Sequence, residues 1–132
     1  MENQNISVLL VDDDSIFRRF LAHRIKNISP DIEIVEADDG LKAIELFNSR
    51  KFNVVLLDIF MPNCDGPEAL AKFRSSGEAK IIFITAGPSE KSLEQAIALG
   101  ASNYISKSTS KENIDILLRA ALDRRLNLPR KQ

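Results

Sequence analysis

The chain has 132 residues, which fits one domain able to bury roughly two thirds of its unfolded surface, so no accessory fold is needed. Its 18 Lys and Arg against 19 Asp and Glu give a formal net charge of -1, far from the basic character by which a module holds nucleic-acid phosphates; no nucleic-acid binding is expected of this chain alone. Cys64, the single cysteine, excludes an intrachain disulfide, the start Met1-Glu2-Asn3-Gln4-Asn5 lacks a signal-peptide pattern, and the longest apolar runs are strand-sized, so the expectation is a soluble cytoplasmic protein without membrane contact.

Strand-like apolar runs alternate with segments of helical period. Val8-Leu9-Leu10-Val11 reads as a first strand and ends in Asp12 and Asp13. A helix near Ser15 to Lys26 places Ile16, Phe17, Phe20, Leu21 and Ile25 on one stripe and leaves Arg18, Arg19, His23 and Lys26 mainly outside it. Asp14 reads as its cap. The helix stops before Ser29-Pro30. A second strand, Ile32 to Ala37, leads through Asp38-Asp39-Gly40 into a helix with Leu41, Ile44 and Phe47 inward.

The third strand, Val54 to Asp58, is followed by a helix opening at Pro67, a residue suited to the first helical position. Strand four, Ile81 to Thr85, is continuously apolar, as when both faces of a parallel sheet are covered. Gly87-Pro88 then breaks the chain. A fourth helix is expected to carry Leu93, Ala96 and Ile97 behind a Ser92-x-x-Gln95 capping box, with Gly100 at its left-handed end. Strand five is Asn103 to Ser106. The last helix has the box Thr109-x-x-Glu112 and a stripe of Ile114, Leu117, Leu118, Ala121 and Leu122. The domain is drawn as 1–125, with 126–132 a basic tail or the start of a linker.

Five β-α units with short connections predict an α/β fold, a doubly wound five-stranded parallel sheet with its site at the strand C-termini. Asp12, Asp13, Asp58, Thr85 and Lys107 all stand at such ends. Three carboxylates meeting at one edge repel one another unless a cation joins them.

Through Val11-Asp12-Asp13-Asp14, Leu57-Asp58-Ile59-Phe60-Met61-Pro62, Asp65-Gly66, Ile84-Thr85-Ala86, Gly100-Ala101 and Tyr104-Ile105-Ser106-Lys107 the sequence resembles the receiver domain of bacterial two-component response regulators, over about Ile6 to Arg125. The resemblance implies a flavodoxin-like (βα)5 fold with strand order 2-1-3-4-5. It also implies transfer of a phosphoryl group from a sensor histidine kinase or phosphotransfer protein to Asp58. Mg²⁺ would be held by Asp13, Asp58 and the carbonyl of Phe60, with Asp12 acting through water. Lys107 and Thr85 would meet the phosphoryl oxygens, and Thr85 and Tyr104 would form the switch that remodels a protein-binding surface.

Ser108 stands where many such domains have proline after the lysine. Lys107-Ser108 and the Leu-Pro of the tail resemble receivers that precede a LuxR-like helix-turn-helix output domain. The resemblance therefore implies a downstream protein or a C-terminal output domain, and a phosphorylation-dependent dimer as one response. Two other readings stay open. A Mg²⁺-dependent phosphatase with an Asp nucleophile would carry a second Asp two residues on, where this chain has Phe60. A phosphorylation-independent docking domain would not need all five polar positions filled.

Overall fold

Five strands, β1 (Ser7–Val11), β2 (Glu33–Ala37), β3 (Val54–Asp58), β4 (Lys80–Thr85) and β5 (Asn103–Ser106), pair in parallel in the order β2-β1-β3-β4-β5. The computed structural model describes residues 6–73, 79–87, 94, 97–98 and 100–123. Helices α1 (Ser15–Ile28), α2 (Gly40–Ser49), α3 (Gly66–Ala71) and a last helix (Lys111–Leu122) complete the described elements.

Side chains of a strand point alternately to its two faces, and here both faces are covered. Leu9, Val11, Val55, Leu57, Ile81 and Phe83 share one core with Ala43 and Phe47 of α2 and Ala69 and Leu70 of α3. Val8, Leu10, Val54, Leu56, Ile82, Ile84 and Ile105 share the other with Leu21 and Ile25 of α1 and Ile114 and Leu118 of the last helix. Burying one such side chain is worth about 1.5–3 kcal/mol, so the two layers outweigh the helix caps, at about 1 kcal/mol each. The caps set where the helices begin. Asp14 accepts from the N–H groups of Ile16 and Phe17, Asp39 from Lys42, and Asp65 from Glu68, whose side chain answers Asp65 in a capping box.

The strand boundaries fall within a residue of those expected, and α1 ends at Ile28 with Ser29 as its cap. Two expected core residues of α1 and α2 lie outside. Ile16 is 81% and Leu41 57% exposed; each is the second residue of its helix. Ser110, not Thr109, caps the last helix, accepting from Asn113 N–H; Thr109 instead closes a turn onto the Ser106 carbonyl. Leu93, Ala96 and the Ser92-Gln95 box lie outside the described residues. Glu94, Ile97 and Ala98 are helical, Ile97 is exposed, and Gly100 has the left-handed φ of +90°. No described helix is long and apolar enough to cross a membrane.

The register brings the polar residues together. Val11 pairs with Leu57, so Asp12 stands level with Asp58; Thr85 pairs with Ser106, which puts Lys107 one step beyond the same edge.

Candidate functional site

The turn after β1 is tied down on every side. Asp12 is fully buried; its N–H donates to the Ala37 carbonyl at 3.2 Å and its Oδ1 accepts from the N–H of Asp14 at 2.9 Å. Its own carbonyl accepts from Arg18 Nη1 at 2.6 Å, while Arg18 Nε donates to Glu36 at 2.7 Å. Asp13, next in the chain, is exposed.

Asp58 is 3% exposed, and its Oδ1 accepts from Phe60 N–H at 3.3 Å. Burial, then a shared hydrogen bond and repulsion with Asp12, push its carboxyl up to about 8, against the opposing pull of Lys107 and the Phe60 N–H. The Lys107 ammonium donates to Asp12 Oδ1 at 3.1 Å and stands 3.0 Å from Asp12 Oδ2, 3.5 Å from Asp58 Oδ2 and 3.9 Å from Asp14 Oδ2. Burial works against its charge, but the hydrogen bond to Asp12 and the charges of Asp58, Asp12 and Asp14 prevail and raise it above the ordinary lysine range.

One cation therefore faces several acids. Carboxylate oxygens of Asp12, Asp13 and Asp58 lie within 4.8 Å of one another. Asp12 Oδ2 is buried without a properly directed hydrogen bond, despite its closeness to Lys107. Such a set of hard oxygen donors, short of positive charge, fits a small divalent cation such as Mg²⁺.

Thr85 is fully buried and its Oγ1 finds no hydrogen-bond partner. A buried hydroxyl left unpaired costs about 1–3 kcal/mol, and this one stands one residue beyond the Asp58–Ile84 pair. Its carbonyl accepts from Lys107 N–H at 2.8 Å. Tyr104 pairs with Phe83, two steps back from that edge, and is 37% exposed. The Phe60 ring is 58% exposed, and a β-carbon at Gly87 would meet nothing within 4 Å.

Of the expected residues, the fold thus clusters Asp12, Asp13, Asp58 and Lys107, sets Thr85 on the same edge, brings in Phe60 through its backbone, and leaves Tyr104 beside the cluster. Three neighbours were not read from the sequence as part of the site, although Gly66 stood in the Asp65-Gly66 motif. Arg18 holds the Asp12 carbonyl, Phe17 lies under Lys107 with the ammonium 5.1 Å from its ring centroid, and Gly66 packs against the backbone of Asp58. Their signal is proximity to the acidic turns: Phe17 and Arg18 occupy the first turn of α1, and Gly66 opens α3.

The sequence matches the response regulator receiver domain over residues 8–119, and the chain belongs to that family. It is 34% identical over 117 residues, 89% of this chain and 45% of the relative, to the "Probable transcriptional regulator ycf27" of Guillardia theta. It is 32% identical over 117 residues, 89% and 48% of the two chains, to the "Transcriptional regulatory protein SrrA" of Staphylococcus aureus. The chain spans about half the length of the curated relatives it matches. Its fold is similar to a CheY-like receiver domain protein from Methanospirillum hungatei, at a TM-score of 0.81 and 23% identity over 92% of this chain and 96% of that one. It is similar also to the signal receiver domain of an HD domain-containing protein from Pseudomonas fluorescens, with a TM-score of 0.77 and 27% identity over 92% and 97%. Receiver domains of two-component response regulators are phosphorylation-accepting signalling domains.

Proposed function

We propose that Asp58 is the phosphoryl acceptor of this domain. The observation that carries the reading is a buried carboxylate at the end of a parallel strand, with a second buried acid and the Lys107 ammonium beside it. The ionised carboxylate of Asp58, the form that a bound cation favours, forms the new bond to phosphorus as the bond to a donor histidine nitrogen breaks; the donor ring carries a proton on its other nitrogen, so the imidazole leaves as the neutral base. Asp12, Asp13, Asp58 and the Phe60 carbonyl are the groups that would hold Mg²⁺, which supplies positive charge to the phosphoryl oxygens.

The chain's own residues supply the rest. Lys107, now shared among acids, turns its donors to the incoming oxygens, where charge spreads in the transition state. The unpaired hydroxyl of Thr85 gives a further hydrogen bond, and Tyr104 on the neighbouring strand follows its movement. The face of β4, β5 and the last helix is thereby the output. With small donors the domain promotes its own phosphorylation, and water in place of the donor reverses it.

The partners are a sensor histidine kinase or phosphotransfer protein upstream and, because the relatives are named as transcriptional regulators of about twice this length, an output domain following a receiver of 1–125, with 126–132 as linker. A dimer formed on phosphorylation and a cytoplasmic location accord with that role. The test is incubation with acetyl phosphate and Mg²⁺ followed by intact-mass measurement. One added phosphoryl group is expected, absent from Asp58→Asn; full modification of that variant would move the acceptor elsewhere.

A further inference from the structure

The four-carbon stem of Lys107 has many rotamers, and its backbone fixes only the base, through the hydrogen bond to the Thr85 carbonyl. The Lys107 side chain is nevertheless only 16% exposed. Carboxylate oxygens of Asp12 and Asp58 approach within 3.0–3.5 Å, and the face of Phe17 covers another side at 5.1 Å from centroid to nitrogen. We infer that Phe17 is a positioning residue that acts through Lys107, holding the ammonium over the crevice by its ring face; the inference rests on the reading of Asp58 as acceptor.

A ring face suits this task for a chemical reason. It attracts a cation through its quadrupole and occupies none of the three N–H donors. When a phosphoryl group arrives, the donors must turn from Asp12 and Asp58 to new oxygens. A third carboxylate would compete for them, whereas the ring keeps the charge in place and leaves them free.

The ring is itself held from outside the crevice. The N–H of Phe17 is taken by Asp14 at 3.2 Å. Its ring meets Phe20 at 5.6 Å and 41°, and the guanidinium of Arg24 lies 5.9 Å from the Phe20 ring centroid. Arg24 in turn forms a two-pronged pair with Asp115 of the last helix, Nε to Oδ1 at 2.9 Å. Lys107, Phe17, Phe20, Arg24 and Asp115 thus form a continuous brace from the sheet edge to the contact between α1 and the last helix.

The test compares Phe17→Tyr, which keeps a ring face, with Phe17→Leu, which keeps apolar bulk without one; Phe17→Met serves if the leucine variant does not fold. In the wild type without metal or donor, the Lys107 side-chain protons should resonate upfield through the ring current, and Lys107→Arg assigns the signal. Phe17→Tyr should preserve that shift and Phe17→Leu abolish it. With acetyl phosphate and Mg²⁺, Phe17→Leu should be phosphorylated about five-fold more slowly at saturating donor, the size of a cation–π contact, with the half-saturating donor concentration unchanged and Phe17→Tyr near wild type. Equal rates in all three proteins, or Phe17→Tyr as slow as Phe17→Leu, overturn the inference while Asp58 remains the acceptor. A wild type that takes no phosphate overturns both, even if the upfield shift is present.

Discussion

Gly66 lies so close to Asp58 that a β-carbon at Gly66 would stand 2.4 Å from the Asp58 carbonyl oxygen and 3.1 Å from its carbonyl carbon. Both atoms of the clash are backbone, so neither can swing aside. Gly66→Ala should therefore cost about 2 kcal/mol, the range of overpacked sites, and displace the strand end that carries Asp58. Gly87→Ala, with open space around its β-carbon, should leave stability within about 0.5 kcal/mol of wild type. Urea unfolding of the two variants decides it; equal midpoints would deny the close approach its importance.

The raised carboxyl of Asp58 links stability to pH. In the unfolded chain this group ionises near its ordinary 3.8, whereas in the folded, metal-free protein it keeps its proton to about 8. Between those values the unfolded state releases a proton that the folded state retains, so stability falls as pH rises from about 4 to about 8 and then levels off. A cation that binds the ionised site reverses the trend. The thermal midpoint in chelator should decline across this window, Asp58→Asn should flatten the decline, and millimolar Mg²⁺ should raise the midpoint near pH 8. That rise should shrink in Asp13→Asn, a change to an exposed side chain; an undiminished rise would place the ion elsewhere.

Thr85 carries a hydroxyl without a partner in a fully buried position. Thr85→Val removes the unpaired oxygen, so it should stabilise the unmodified domain by about 1 kcal/mol. The same variant should still accept phosphate at Asp58 while losing most of the phosphorylation-dependent amide shifts from Tyr104 to Lys107. A destabilised Thr85→Val would show that the hydroxyl is already satisfied.

Phe60 presents an exposed ring two residues past Asp58, and Gly87 offers no side chain two residues past Thr85. The first is expected to shield the in-line approach of water, and the second has no side chain to orient it. A long-lived aspartyl phosphate is expected. Phe60→Asn and Gly87→Glu, each adding a polar group near the approach, should speed hydrolysis by about ten-fold, modest for a group that positions water. A wild-type half-life of seconds, unaltered by either change, would remove the shielding argument.

Much of the architecture was legible because strand and helix periods differ and because both faces of this sheet are buried: Val54 to Asp58 and Ile81 to Thr85 read as continuous apolar runs ending in polar residues. Period alone misplaced Ile16 and Leu41, since it reports which side of a helix a residue occupies and not whether anything lies opposite. Thr109 and Ser110 offer the same hydroxyl at adjacent positions, and only the turn onto Ser106 settles which one caps. The acidic cluster was readable as three strand-end residues. The Phe17 ring beside Lys107 was not, because the two are ninety positions apart in the chain and their meeting depends on how α1 lies against β5.

Around Asp58 the molecule contains two kinds of glycine, and the contrast bears on how such a domain diversifies. At Gly66 any side chain collides with the backbone of Asp58. At Gly87 the space is empty, as it is around much of the Phe60 ring. Mutation is thus penalised where the acid is aimed and nearly free where its surroundings meet solvent. Single surface changes at Phe60 and Gly87 are therefore the ones expected to retune how long a signal lasts, one at a time, without first acquiring stability to offset them.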